Sequence, residues 1–418
     1  MVLSARSWKR TGSLVESSAA RASPLSLAAD AEGDASPHEL RATIVRGHAS
    51  AIEALRLRWN ELLDRCERPS IVQSYTWCRT GFEKLAALHD IQFAALLIER
   101  GDSLVALWPF TTRKSGGLVE VFPLGSGGYE EYGGPLYDRA EDERELAWLL
   151  AAKIRELGDL IRLFNLPEEA VLTRMICAQA GVSSHRLPTL SIHFDKFDSF
   201  DKYMFSLSKR VRVDSRYQLR RLEKHGATFV RLEDPDETAA ALDWLFTAKL
   251  AWVRANRKNV SGYNGQWLMS GEALKFLKQI SEGQVEAGEL GVFVIRTTSE
   301  IIAAGVCLIE PVMIQYYYTA YSPAWADFSP GKVLTYKLSE WAFQRGANFD
   351  FRQTTAAYKE SWSNHQRHVC SVVIATNGKA MPIVWKLQAK AQLKRLRTTV
   401  GHALPPGARA GLKRLLRA

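Results

Sequence analysis

The chain has 418 residues, more than one hydrophobic core usually organises, which predicts two domains of roughly 150 to 190 residues. With 46% hydrophobic and 24% charged residues it has a globular balance, which excludes disordered and fibrous classes. The net charge of +10 points to nucleic acid only until it is located: the first 360 residues carry 44 basic against 45 acidic side chains, whereas residues 361–418 hold 11 Lys or Arg and no Asp or Glu. Basicity is therefore a property of the tail, and nucleic acid is not an expected partner of the body.

In chain order, Ser, Ala, Asp and Gly dominate through Pro37, so residues 1–40 are expected to be disordered, with no apolar core of signal-peptide length. Apolar residues then recur at helical spacing from Ala51 to Cys66, and an Arg-Pro-Ser turn leads into a second helical stretch, Tyr75 to Leu88. Phe93–Arg100 and Leu104–Arg113, joined by Gly101-Asp102, predict a hairpin, with Leu118–Gly125 as the next strand. Helical Glu141–Leu157, extended Leu160–Pro167, helical Glu168–Ala180 and an apolar stretch ending near Ile192 follow.

The second half repeats this grammar. Helical patterns over Phe200–His225 and Asp236–Arg257 precede a hairpin at 290–310 and a strand, Ile314–Tyr321. A Ser-Pro-Gly-Lys turn (329–332) opens a helix to Arg345, and Asn348–Gln353 is again extended. The two hairpins lie about 195 residues apart, a period of a duplicated domain and not of a solenoid. The predicted class is α+β, with units at 41–192 and 193–384 and a basic amphipathic tail at 385–418.

Five cysteines (66, 78, 177, 307, 370) are odd in number and form no Cys-x-x-Cys pair, which argues against a disulfide framework and fits a reducing cytoplasm. The longest apolar run, Ile301–Ile309, is too short to span a bilayer. His365, His368 and Cys370 have no fourth candidate near them in sequence, so no metal is expected and the segment is expected to enter the sheet.

The order of two helices, a meander, then a strand feeding a turn and helix resembles the GNAT acyltransferase fold, occurring here twice as two mixed sheets flanked by helices. The second half resembles the bacterial acetyltransferases typified by the cellulose-biosynthesis protein CelD, related to the Fem peptidoglycan aminoacyltransferases. The resemblance rests on YYYTAYSPAWADFSPGKVL (316–334), GANFDFRQTTAAYKESW (346–362) and LSKRVRVDSRYQLRRLEKHG (207–226). It implies transfer from acyl-CoA, a cosubstrate and not a resident cofactor, to an amine or hydroxyl on a sugar or polysaccharide precursor. It also implies that Phe328, Ser329, Pro330, Gly331, Lys332 and Val333 do the work of a pyrophosphate loop. On propensity alone the same turn is a helix start, with Ser329 as cap, Pro330 at the first position and Gly331 relieving a crowded turn.

Tyr358 and Lys359 follow a strand end, where loops commonly place catalytic groups. Tyr358 is the candidate acid for a departing thiolate, and Lys359 the candidate holder of an anion. In GSGGYEEYGGP (125–135), Glu131 is the candidate general base beside Tyr132, in a loop whose glycines allow close approach. Arg212, Arg216 and Arg220 share a helix face suited to an anionic substrate, and Tyr321, Arg352 and Gln353 complete the substrate set. Each has a plainer alternative: a packed tyrosine, a solvated lysine, a surface loop, a solvated charged face. The tail is a candidate for an anionic membrane surface. The rival functions are Fem-like aminoacyl transfer from tRNA and a non-enzymatic nucleic-acid-binding module.

Overall fold

The structure, a computed structural model, describes residues 39–125, 131–255, 267–353 and 357–403. The segment expected to be disordered and the end of the tail lie outside them, as does Glu130.

The first half contains β1 (Leu40–Gly47), helices Ala49–Arg65 and Tyr75–Ala86, β2 (Gln92–Arg100), β3 (Ser103–Ser115), β4 (Leu118–Pro123), β5 (Leu136–Tyr137), helix Glu143–Lys153, β6 (Leu160–Pro167), helix Val171–Cys177 and β7 (Val182–Ile192). Helices Phe200–Ser206 and Lys209–Lys224 follow. The second half then repeats the order: β8 (Thr228–Leu232), helices Pro235–Ala255 and Glu272–Glu282, β9 (Glu289–Arg296), β10 (Ile301–Ile309), β11 (Met313–Tyr321), helix Pro330–Gln344, β12 (Asn348–Gln353), helix Ala357–Glu360 and β13 (His365–Ala375). Helix Met381–Ala403 ends the described chain. The segment weighed as a metal site is strand β13. The sequence pattern missed β1 and β8, which are the two edges of the sheet and carry the half-buried, arginine-bearing character that edges use against mispairing.

The expectation of two sheets is corrected. The strands form one 13-stranded sheet in the order β1-β2-β3-β4-β6-β13-β7-β12-β11-β10-β9-β8, with β5 beside β3. The halves exchange their last strands: β7 pairs with β12, β13 pairs with β6, and β7 and β13 pair with each other from Val182–Ile374 to Ser191–His365. Each half thus covers an edge that it would otherwise expose, and the two sheets become continuous.

Both faces of the hairpin strands are covered, so Phe93–Ile98 of β2 and Ile302–Ile309 of β10 are apolar and buried without a break. In β9, Val292 and Val294 face the core under helices 49–65, 75–86, 235–255 and 272–282, while Phe293 and Ile295 face the core under helix 330–344. The first of these cores belongs to both halves: Trp77 meets Phe276 edge-on at 4.8 Å and Tyr317 at 5.9 Å.

Two features position the site. Parallel strands β11 and β12 pair only from Met313–Asn348 to Gln315–Asp350. A bulge opposite Val306/Cys307 carries the β10–β11 register from Tyr318 to Tyr316, with Tyr317 as the inserted residue. Such an insertion changes side-chain parity, so Tyr316 packs in the core under helix 330–344 while Tyr317 and Tyr318 both pack on the other face.

Candidate active site

A cavity of about 870 Å³ lies where β11 and β12 part. Its walls come from both faces of the sheet: Ser329–Lys332 and Thr335 on one side, Ala248, Lys249 and Trp252 on the other, with Tyr316 and Thr319–Tyr321 from β11 between them. Arg210 and Asp214 of the basic helix, together with Tyr358, Ser361 and Trp362, complete it.

The Ser-Pro-Gly-Lys turn has a different internal logic from the one its composition predicts. Ser329 is the cap residue, but its side chain makes no capping bond, and its backbone is left-handed (φ 48°). That conformation costs a non-glycine residue about 1 kcal/mol or more. Gly331 has no such backbone; a Cβ there would touch the Tyr321 ring at 3.6 Å, an ordinary contact. Pro330 has no N–H, and the amides of Lys332 and Val333 turn back to the Ser329 carbonyl at 2.9 and 3.3 Å. The Gly331 N–H is left as the first-turn donor with no turn carbonyl among the described residues. Of the six expected donor-binding residues, Ser329, Pro330, Gly331 and Lys332 line the cavity. Val333 is buried in the core, and Phe328 packs against Trp325, His225 and the Arg221 guanidinium.

The turn is held from the basic helix. Arg221 donates to the Asp327 carbonyl at 2.9 Å, and Lys332 is ion-paired with Asp214 at the cavity wall, a hydrogen bond that holds the Asp214 carboxyl below its usual pKa. The face of that helix turned to the cavity therefore carries Arg210 and Asp214. Arg212 instead lies over Phe205, 4.8 Å from its ring, and donates to the Phe205 carbonyl, while Arg216 pairs with Asp201. None of Arg212, Arg216 and Arg220 lines the cavity. The residues missed in the sequence, Arg210 and Asp214, stand four apart, the same i, i+4 signal one face away.

Tyr358 is 48% exposed, lines the cavity, and has its phenol pKa raised by desolvation. Its short helix is fixed from behind: Trp362 is buried, and Tyr203 donates to its carbonyl at 2.6 Å. Lys359 points elsewhere, donating to the Phe351 carbonyl at 2.8 Å. Tyr321 is a cavity wall; Gln353 ends β12, paired with Thr189.

Glu131, Tyr132 and Arg352 form a second cluster, in the seam between the halves. Tyr317 donates to Glu131 Oε1 at 2.9 Å, and Gly125 permits this approach, since a Cβ there would meet Glu131 Oε2 at 2.1 Å. Tyr132 donates to both oxygens of Asp350 at 3.1 Å, and the Arg352 amide donates to the same carboxylate at 2.5 Å. Arg352, itself left-handed (φ 63°), stacks over Tyr132 and Tyr317 at 5.3 and 4.8 Å. Burial pushes the carboxyls of Asp350 and Glu310 up. Glu131, Asp350 and Arg352 are buried, and neither they nor Tyr132 line the cavity, so Glu131 and Tyr358 do not share that pocket.

A meander feeding two parallel strands that part beside a helix N-terminus is the arrangement of the GNAT-like fold, here within one mixed sheet. Residues 209–360 match the family model described as an acetyltransferase (GNAT) domain. A search of curated proteins finds no match. Among solved structures the chain is similar to FemX, at 12% identity over 79% of this chain and 98% of that one, with a TM-score of 0.53. It is also similar to the C-terminal domain of a candidate lysylphosphatidylglycerol synthetase from Agrobacterium fabrum, at 13% identity over 81% and 96% of the two chains, with a TM-score of 0.50. Residues 209–360 are thus similar to a GNAT acetyltransferase domain, and the solved structures share the fold. The description of that model names the GNAT acetyltransferases and no narrower branch.

Proposed function

We propose that the chain transfers an acyl group from a CoA thioester, bound in the second half, to an amine or hydroxyl. The observation that carries this reading is the cavity itself, which sits in the opening between β11 and β12 and ends at the Pro330 helix start. A helix N-terminus favours anionic groups, and Arg210, Lys249 and Lys332 add cationic side chains to the same walls. The apolar walls Tyr316, Ala320 and Trp362 suit the arm of the thioester.

The acceptor's nitrogen or oxygen attacks the thioester carbonyl from the side of Ala248 and Trp252. The new C–N or C–O bond forms as the C–S bond breaks, Tyr358 protonates the departing thiolate, and the proton released by the acceptor's nitrogen or oxygen restores the phenol. Glu131 holds Tyr317 and the seam in this reading, while Lys359 positions Tyr358 by tying its helix to β12. The acceptor class, a sugar or polysaccharide precursor, follows from the CelD-like motifs at 316–334 and 346–362. The working unit in this reading is 193–384, with the first unit, 41–192, as its scaffold.

Isothermal titration with acetyl-CoA tests the donor, with a dissociation constant in the micromolar range expected. Aminoacyl-tRNA is the second donor class, favoured by the exposed cations of helix 209–224. Salt-sensitive tRNA binding without CoA binding would replace the first reading by the second.

A further inference from the structure

Helix Met381–Ala403 is seated on the sheet by one face only. Val384 is buried, Met381 and Ile383 pack beside it against Leu160 and Ala375, and Gln388 donates to the Val182 carbonyl at 2.9 Å. The outer face is unlike an ordinary solvated one. Trp385 is 59% and Leu393 55% exposed; with Ala389 they stand at positions i, i+4 and i+8, and exposed Lys386 and Lys390 stand beside them. The helix lies in the part of the chain that has 11 basic residues and no acid, whereas the preceding 360 residues are close to neutral.

We propose that this face docks the protein on an anionic lipid bilayer, with the helix lying in the interface. Three properties select that occupant. A bilayer surface takes up an exposed tryptophan and leucine and neutralises the lysines beside them in the same contact. A nucleic-acid backbone would satisfy the lysines and leave the apolar stripe in water, and a second copy would bring like charges together. Among the described residues no helix is long and apolar enough to cross a membrane, so the contact is peripheral.

Co-flotation of the full chain with vesicles tests this, comparing phosphatidylcholine alone with phosphatidylcholine containing phosphatidylglycerol. Binding is expected only to the anionic vesicles and is expected to be lost at high salt. Lys386→Ala and Lys390→Ala should each weaken it about fivefold, and Trp385→Ser or Leu393→Ser about tenfold. Melting should be unchanged, because these side chains are exposed; if Trp385→Ser melts early, Leu393→Ser carries the apolar arm alone. Four results would overturn the proposal: no vesicle binding, equal binding to neutral vesicles, a dimer in light scattering that Leu393→Ser abolishes, or a nucleic acid that displaces the protein from vesicles.

Discussion

The Tyr317 hydroxyl donates to Glu131 at 2.9 Å inside the seam between the two halves, on the face of β11 opposite Tyr316. Tyr316, not Tyr317, walls the cavity that also contains Tyr358. The bond therefore joins the halves, and the carboxylate is spent on a buried hydroxyl. Glu131→Ala should cost about 1–3 kcal/mol of stability by leaving that donor unsatisfied, measured by denaturant unfolding. Turnover of the folded variant should fall less than tenfold. A loss of more than a hundredfold, with the acidic limb of the pH profile removed, would restore Glu131 as the base.

Tyr358 carries the strongest kinetic expectation. Tyr358→Phe should lower kcat by about 10²-fold to 10⁴-fold with donor KM little changed, the range for losing general acid catalysis. Desolvation raises the phenol's pKa, so the proton is retained through neutral pH and the alkaline limb of kcat should lie above the ordinary tyrosine range near 10. A limb that falls well below this, or near-normal turnover in the phenylalanine variant, would assign the proton elsewhere.

At the turn, the structure separates folding from binding. A Cβ at residue 331 meets only the Tyr321 ring, at ordinary contact distance, so Gly331→Val should melt within a few degrees of the parent. It should nevertheless weaken acetyl-CoA about tenfold by crowding the one amide that has no turn carbonyl. Titration calorimetry on the folded variant checks this; unchanged affinity would remove the turn from the donor site.

The ion pair between Lys332 and Asp214 ties the turn helix to the basic helix, and its stability contribution has a defined sign with pH. Asp214 titrates lower in the folded state than in the unfolded chain, so its contribution is full above the unfolded value near 3.9 and is lost as pH falls through the folded one. Asp214→Asn should therefore cost stability at neutral pH and progressively less below about pH 4. A difference in melting temperature that stays constant from neutral pH to below pH 4 would contradict the pairing.

Asp350 has the opposite sign. Burial raises its pKa in the folded protein, so its contribution is full below the unfolded value and falls as pH rises through the folded one. Asp350→Asn should thus gain on the parent protein as pH is raised from about 4 to 8, whatever its absolute melting temperature. A gap that narrows in the other direction would mean that Arg352 and Arg367 outweigh the burial.

The sequence alone determined whatever depends on local spacing. Hairpins at 92–115 and 289–309, helices 49–65, 75–86 and 235–255, and the strand-turn-helix unit at 313–344 were legible because burial on one face or two leaves a period of 3.6, a period of 2 or an unbroken apolar run, whereas helix 272–282 was missed. The turn residues 329–332 and Tyr358 were legible as a motif, and the structure puts them around one cavity. Tertiary structure alone decided what depends on long-range pairing. The exchange of β7 and β13 leaves no mark on either strand's own pattern, because the ladder is made by backbone groups that do not depend on side-chain type. Glu131 looked like a base because its loop is glycine-rich, but the fold sets it against Tyr317, which as the next residue in β11 faces the opposite side of the sheet from Tyr316. Helix 209–224 likewise announced its cations by spacing, but whether Arg210 or Arg212 meets the cavity depends on rotation about the helix axis. The Lys332–Asp214 pair and the Arg221–Asp327 bond set that rotation, and both are contacts more than 100 residues apart.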